Sequence, residues 1–97
     1  MNVRLYPQAE LDLEDGFWFY EKQDPGTGGH FMRHMSEELA ALSRFAGIHR
    51  QFHGYHRVLT GTFPFGIFYK LEADTIEVHA IIDLRRSPAW IKTRLRN

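Results

Sequence analysis

The spacing of apolar residues changes along the chain, and the changes divide it into a strand, two helices, three strands and a final helix. Asn2 to Tyr6 is a short strand candidate that ends at Pro7. From position 8 onward, and again from about His30 to Phe45, apolar residues recur at helical spacing. Residues 24–29, DPGTGG, are helix breakers between these two segments, so we expect a helical hairpin with a turn there.

The two predicted helices each have one apolar face. Trp18 and Phe19 widen the first face or lie at its edge. Gly16 lowers helix propensity by about 1 kcal/mol relative to alanine, so we expect it to allow close packing against the second helix. Gly47 is well placed to cap the second helix. The two faces comprise Ala9, Leu13, Gly16 or Phe17, and Tyr20 in the first helix, and Phe31, Met35, Leu39, Leu42 and Phe45 or Ala46 in the second.

Three segments after the hairpin have strand character and follow one another through short turns. They run from Tyr55 to Thr60, from Phe65 to Leu71, which is aromatic and β-branched, and from Thr75 to Ile82. No element is predicted for residues 48–54, where polar residues interrupt any period. We expect a three-stranded antiparallel meander. The alternation in the last strand places three residues toward the core, Ile76, Val78 and Ala80.

The end of the chain predicts a short helix. Ser87 is suited to the N-cap and Pro88 to the first helical position, and Trp90, Ile91 and Leu95 form an apolar face. The predicted fold class is α+β: a strand, a helical hairpin, then a three-stranded antiparallel meander with a short C-terminal helix. We expect a single domain over residues 1–97, with the helices packed on one face of a mostly antiparallel sheet.

Composition narrows the class of protein. The 97 residues are 43% hydrophobic and 25% charged, as in ordinary soluble domains, and the net charge of zero gives no overall attraction to nucleic acid. Residues 85–97 are nevertheless basic, with no acid among them. No signal peptide or membrane-spanning run is visible and cysteine is absent, so we expect a cytoplasmic protein without membrane contact. The glycines of residues 26–29 lack the lysine of a P-loop, and we expect no cofactor.

The six histidines do not form a metal-binding motif. His30 and His34 lie four residues apart on the second helix, and His49, His53 and His56 cluster near a loop and a strand start. There is no cysteine, no HExxH pattern and no carboxylate at ligand spacing. We therefore interpret the histidines as solvated or hydrogen-bonded side chains and predict no metal site.

Basic residues of the meander are the best candidates for chemistry. Arg57 lies on its first strand, Lys70 on its second, and Arg85 and Arg86 at the end of its third. If these side chains converge on one face or edge, their arginines suit bidentate capture of a phosphate or carboxylate. The alternative is that they are solvated charges that discourage association of strand edges. Two neighbouring residues can add donors or relay protons, His56 and Tyr69.

Over nearly its whole length the chain resembles the RelE/ParE superfamily of toxins from bacterial type II toxin–antitoxin systems. The resemblance rests on the end of the first helix, WFYEKQDPGTGGHF, the segment GYHRVLTGTFPFGIFYKLEADTIEVHAIIDLRRSP and the terminal helix, in that order. It implies a β-α-α-β-β-β core, often with a C-terminal helix. It also implies a cognate antitoxin whose C-terminal segment wraps the toxin's surface and neutralises it, forming a hetero-oligomer.

The resemblance leaves the target and the question of enzymatic activity open. RelE-like members cut messenger RNA in the ribosomal A site, whereas ParE-like members inhibit DNA gyrase. RelE-like nucleases usually have a catalytic arginine after the aromatic residue that corresponds to Phe65, and this chain has Gly66 there. Near the end of the chain, where a tyrosine can act in these nucleases, it has Trp90 and Ile91. We favour the ParE-like interpretation, with a ribosome-dependent endonuclease using Arg57, Arg85, Arg86, His56 and Tyr69, or a decayed antitoxin-binding module, as alternatives.

The antitoxin is the partner common to all three interpretations. We expect it to contact the helical hairpin and an exposed sheet edge, through an amphipathic helix in a groove or an added strand. Trp18 and Phe19 are candidate anchors there, because aromatic residues dominate binding hot spots, although both also suit the core. Lys70 and Trp90 complete the candidate partner-binding residues.

Overall fold

A computed structural model describes residues 1–96 and contains three helices and five strands. The sheet has the order β1-β5-β4-β3-β2, in which β1 is parallel to β5 and the other neighbours are antiparallel. No helix among residues 1–96 is long and apolar enough to span a bilayer. The elements are β1 Asn2–Leu5, α1 Pro7–Gln23, α2 Thr27–Phe45, β2 Gln51–Phe52, β3 Tyr55–Leu59, β4 Phe65–Glu72, β5 Thr75–Asp83 and α3 Pro88–Arg96.

The predicted helical hairpin is present, and α1 and α2 cover one side of the sheet, here called the helix face. Phe31 of α2 packs against Gly16 of α1 so closely that a Cβ atom on Gly16 would lie 2.5 Å from the Phe31 ring. The prediction that Gly16 allows close helix packing is therefore confirmed. The main core between helices and sheet contains Ala9, Phe31, Met35, Leu42, Val58, Phe63, Phe65, Ile67, Tyr69, Ile76, Val78 and Ile81.

The turn of the hairpin is shorter than predicted, because α2 begins at Thr27 and includes two glycines that we assigned to the turn. The Glu21 carboxylate accepts hydrogen bonds from the backbone N–H groups of Gly26 and Gly28, at 3.0 Å each. These groups lie at the start of α2, where N–H groups have no partner within the helix. Glu21 thus stabilises a helix start that glycine propensity alone disfavours.

The sheet has two more strand pairings than the predicted meander. Strand β2 lies in the segment for which we predicted no element, and it pairs with β3 through the two-residue turn His53-Gly54. Both turn residues have positive φ, 53° and 86°, as a tight hairpin of this length requires. Strand β1 extends the other edge by pairing in parallel with β5. The predicted three-stranded meander is thus the centre of a five-stranded mixed sheet.

A β-bulge in β5 overturns the prediction that Ala80 faces the same core as Ile76 and Val78. Tyr69 of β4 pairs with Val78 while Phe68 pairs with Ala80, so His79 is an extra residue in β5. The extra residue shifts the alternation by one position. Ala80 consequently packs in a second core on the opposite face of the sheet, with Tyr55, Phe68, Ile82 and Leu95.

Helix α3 covers that opposite face, which corrects the prediction that all helices lie on one side. Ser87 caps it as predicted, since its side-chain oxygen accepts the N–H of Trp90 at 3.1 Å, and Pro88 is its first residue. The Asp12 carboxylate of α1 accepts hydrogen bonds from the Ile81 N–H at 2.9 Å and from the Arg94 guanidinium at 2.7 Å. One carboxylate therefore links α1, β5 and α3.

Candidate functional site

Two of the predicted basic residues, Arg57 and Arg86, meet at one cavity on the α3 side of the sheet. This arginine cavity has a volume of about 330 Å³ and is lined by Phe52, His53, Arg57, Phe68, Leu84, Arg86, Pro88 and Ile91. The Arg57 guanidinium lies 3.9 Å from the centre of the Phe52 ring, and that of Arg86 lies 4.4 Å from the centre of the Trp90 ring. Among residues 1–96 neither arginine forms an ion pair.

Arg85 points away from the arginine cavity although it is the sequence neighbour of Arg86. Its guanidinium contacts both carboxylate oxygens of Asp83, at 2.7 and 2.9 Å, and lies 5.7 Å from the centre of the Phe19 ring on α1. Hydrogen bonding to Arg85 lowers the pKa of Asp83. Asp83 also accepts the backbone N–H of Arg85, which turns the chain after β5 and separates the two arginines.

Lys70 shares a sheet face with Arg57 but lies at a different position on it. Its ammonium group is 4.5 Å from the centre of the Tyr55 ring, and Lys70 is the cross-strand partner of Glu77. Tyr55 belongs to a neighbouring cavity with Tyr6 and His79. The expected convergence of the four basic residues is therefore limited to Arg57 and Arg86.

The predicted proton-relay residues lie on the helix face, on the other side of the sheet from Arg57. Tyr69 is fully buried, and its hydroxyl accepts the Gly47 N–H at 2.8 Å and lies 2.6 Å from Nδ1 of His49. The His56 ring stacks on Tyr69, and its Nδ1 donates to the His49 carbonyl at 2.7 Å. Burial raises the pKa of Tyr69 and lowers that of His49. The three side chains fix the segment that follows α2.

The candidate partner-binding aromatics are on the surface, not in the core. Trp18 and Phe19 on α1 are 51% and 48% exposed, and Trp90 on α3 is 40% exposed. Phe19 and Trp90 line opposite walls of one cleft between α1 and α3. A separate hairpin groove of about 590 Å³ lies between α1, α2 and β1, with mostly apolar walls from Leu5, Glu10, Leu13, Glu14, Phe17 and Met32.

Comparison with known proteins shows a similarity in fold. No protein-family model and no curated protein matches the sequence. The fold, however, is similar to that of a chain in the solved structure described as "Chromosomal ParDE TA system from P. aeruginosa", with a TM-score of 0.74. The similarity covers 84% of this chain and 92% of that one, at 17% sequence identity. The chain has a ParE-like α+β fold.

The fold expected from the family resemblance is thereby confirmed. The order of the elements also agrees: β1, the α1–α2 hairpin and the antiparallel strands β3 to β5 follow one another as expected, and β2 is an additional short strand. The identity of 17% makes this a similarity of fold.

The histidines of α2 serve packing and hydrogen bonding. His30 and His34 both lie against the Phe63 ring, at 5.3 and 5.9 Å between centres, and His34 Nε2 accepts the Thr62 N–H at 3.4 Å. Within residues 1–96, no three His, Cys, Asp or Glu side chains are grouped closely enough to hold a metal ion.

Three residues of the site were not predicted from the sequence. Phe52, on which Arg57 stacks, lies in the segment where no periodicity was visible, although the His53-Gly54 pair is a turn signal that marks a hairpin. For His49 the sequence predicts a solvated or hydrogen-bonded side chain and does not indicate its partner, Tyr69. Asp12 was one of several acids on α1, and its link to Ile81 is 69 residues long in sequence, beyond any local signal.

Proposed function

We propose that this protein is the toxin of a type II toxin–antitoxin system, neutralised in the cytoplasm by a cognate antitoxin. The observation that carries the proposal is the ParE-like fold, shared with a chain of the ParDE system over 84% of this protein. The sequence segments that resemble the RelE/ParE superfamily lie in the end of α1, the start of α2, the strands β3 to β5 and α3, and this resemblance supports the same proposal.

The hairpin surface supports binding of an antitoxin. Trp18 and Phe19 expose about half of their area on α1, which is unusual for aromatic residues unless a partner covers them. The hairpin groove, which Trp18 adjoins through its contact with Phe17, has an apolar floor and two carboxylates, Glu10 and Glu14, on its rim. It adjoins β1, whose outer edge is unpaired in the sheet. An antitoxin segment with apolar and basic residues matches this surface.

We further propose that the toxin acts on DNA gyrase or replication, not as a ribosome-dependent nuclease. General acid–base cleavage of RNA requires a proton acceptor next to the cations that stabilise the phosphate. His56 and Tyr69 are on the helix face, whereas Arg57 is on the α3 face of the sheet. Gly66 also places no side chain beside Arg57. His53 lines the cavity with Arg57 and Arg86, so a nuclease would have to use His53 as its proton acceptor. The separation of the two predicted proton-relay residues from the arginines favours inhibition through a protein–protein surface.

One experiment tests the toxin and its target together. The chain is induced in bacteria with and without the small protein encoded beside its gene, and DNA and protein synthesis are followed by pulse labelling. We expect growth to stop without the neighbouring protein, DNA synthesis to fall first, and both effects to disappear on co-expression.

The other outcomes have defined meanings. An earlier fall in protein synthesis, with codon-positioned cuts in messenger RNA, identifies a ribosomal nuclease and contradicts the gyrase proposal. Growth unaffected by the folded protein, together with tight binding of the neighbouring protein, identifies a decayed antitoxin-binding module. Absence of both toxicity and binding contradicts the proposed function as a whole.

A further inference from the structure

The lining of the arginine cavity carries positive charge, and the carboxylate that interacts with Arg86, that of Asp83, lies outside this lining. Its lining residues include two arginines and no carboxylate, and neither arginine forms an ion pair within residues 1–96. Nε of Arg57 is buried without a hydrogen-bond partner. Leaving a buried donor of a charged group unpaired destabilises a protein. This Nε is itself inaccessible, so an anionic ligand would bind the terminal N–H groups of Arg57 and offset the charge of the guanidinium.

The packing around the two guanidinium groups orients them for such a ligand. Arg57 stacks on Phe52 and Arg86 on Trp90, so each planar group is supported from one side. Stacking leaves the N–H groups at the edge of each plane free, which is the geometry for bidentate binding of a carboxylate. Gly66 leaves room for the Arg57 stem, because a Cβ there would approach Arg57 Cγ to 3.3 Å and Leu84 to 3.1 Å.

The other residues that line the cavity indicate what kind of group accompanies the anion of the ligand. Phe52, Phe68, Leu84, Pro88 and Ile91 are apolar, and His53 is the remaining polar residue of the cavity. A nucleobase would bring several hydrogen-bonding groups to walls that offer almost no partners, whereas a bulky apolar side chain matches them. The volume of about 330 Å³ is at the lower end of ligand pockets, large enough for a short peptide segment.

We propose that the arginine cavity binds an acidic, apolar peptide segment of a partner protein, with a carboxylate held between Arg57 and Arg86 and a neighbouring apolar side chain against Phe52 and Ile91. The cavity lies on the α3 face of the sheet and shares no lining residue with the hairpin groove, whereas Arg86 also lines the cleft that contains Phe19. The site therefore goes beyond the proposed antitoxin surface, and its test does not depend on toxicity.

The test uses Trp90, which contacts Arg86, as a fluorescent reporter. The chain contains two tryptophans, so the Trp18→Phe protein reports from Trp90 alone. It is titrated to about 10 mM with the probe peptide acetyl-Leu-Glu-Phe-amide, and with the same peptide containing Gln in place of Glu. We expect a saturable change with the Glu peptide and binding about tenfold weaker, or worse, with the Gln peptide.

Substitutions inside and outside the arginine cavity show where the Glu peptide binds. Arg57→Gln and Arg86→Gln should each weaken binding of the Glu peptide by about tenfold or more, whereas Arg33→Gln, on the exposed surface of α2, should leave it unchanged. Without peptide, Arg57→Met should melt at the same temperature as the parent or higher, because a partly buried arginine with an unpaired Nε is replaced by an apolar side chain of similar length. A large fall in melting temperature would indicate that Arg57 has a purely structural role and would contradict the proposal.

Competition separates peptide binding from nucleic-acid binding. Uridine monophosphate and inorganic phosphate are added to the complex with the Glu peptide, and we expect neither to displace it at equal concentration. Displacement by the nucleotide would identify a nucleic-acid site and overturn the proposal. No saturable change with the Glu peptide, or equal affinity for the Gln peptide, would overturn it as well.

Discussion

At the scale of single residues, Gly16 on α1 and Gly28 on α2 allow the two helices to approach closely, and Gly29 provides a control. A Cβ on Gly16 would lie 2.5 Å from the Phe31 ring, and one on Gly29 would meet no atom closer than 3.6 Å. Gly16→Ala should therefore lower the free energy of unfolding by about 1–3 kcal/mol through overpacking. Gly29→Ala should raise it by about 0.5–1 kcal/mol through helix propensity. Urea unfolding measures both, and equal effects of the two substitutions would contradict this account.

His49 gives the protein a pH-dependent contribution to stability. Tyr69 accepts backbone N–H groups of Gly47 and His49, so its own proton is donated to a neutral His49 Nδ1 at 2.6 Å. Burial, followed by repulsion from His56, lowers the pKa of His49 below its ordinary value of 6.5. The unfolded chain thus binds the proton more readily, and the contribution is complete above pH 6.5 and is lost as the pH falls through the lowered pKa.

The substitution His49→Asn tests this contribution, because the Asn side-chain oxygen keeps an acceptor for Tyr69 and does not titrate. We expect the free energy of unfolding to fall between pH 7 and pH 5 in the parent and to fall less in the variant. The slope is not abolished, since burial also lowers the pKa of His79. Asp83 does not contribute to the slope between pH 7 and pH 5, because its pKa is lowered from 3.8. Identical slopes in the two proteins would show that His49 does not titrate in this range.

At the scale of elements, Asp12 determines how α3 is held against the rest of the fold. Asp12→Ala leaves the Ile81 N–H without its acceptor and the Arg94 guanidinium, only 18% exposed, without its partner. We expect a loss of about 3 kcal/mol in the free energy of unfolding, together with faster amide hydrogen exchange in α3. Asp15→Ala is the control, because Asp15 is exposed one turn further along α1, and it should change stability by less than about 0.5 kcal/mol. Equal effects at both positions would exclude the proposed link.

The sequence predicts the long elements well and the long-range contacts poorly. The apolar periods of α1, α2, β4 and β5 are strong local signals, and Ser87-Pro88 gives the start of α3 directly. The helical state of Gly28 depends on the Glu21 carboxylate seven residues earlier, and the orientation of Ala80 depends on a bulge that becomes visible only when β5 is paired with β4. The separation of Arg85 from Arg86 likewise depends on the side chain of Asp83.

At the scale of the whole molecule, the sheet separates two surfaces of different character. The hairpin side presents Trp18 and Phe19 on α1 and an apolar groove with acidic residues on its rim. The α3 side presents Arg57 and Arg86 in a cavity lined by no carboxylate, and Arg86 also borders the cleft that contains Phe19. The core between α1, α2 and the sheet is fully packed, with Phe31, Ile67 and Tyr69 at 0% exposure. Because such an interior is rigid, the two surfaces should bind their partners independently.

The double variant Trp18→Ala/Phe19→Ala tests this independence. Truncating two aromatic anchors should weaken binding of the antitoxin by about 2 kcal/mol or more, roughly 30-fold, while leaving the affinity of the arginine cavity for the Glu peptide unchanged. Arg57→Gln should show the reverse pattern. Calorimetric titration of each variant with the purified neighbouring-gene protein and with the peptide gives all four affinities. If the peptide competes with the antitoxin for the parent protein, or if either variant weakens both ligands equally, the two surfaces are coupled and the sheet does not isolate them.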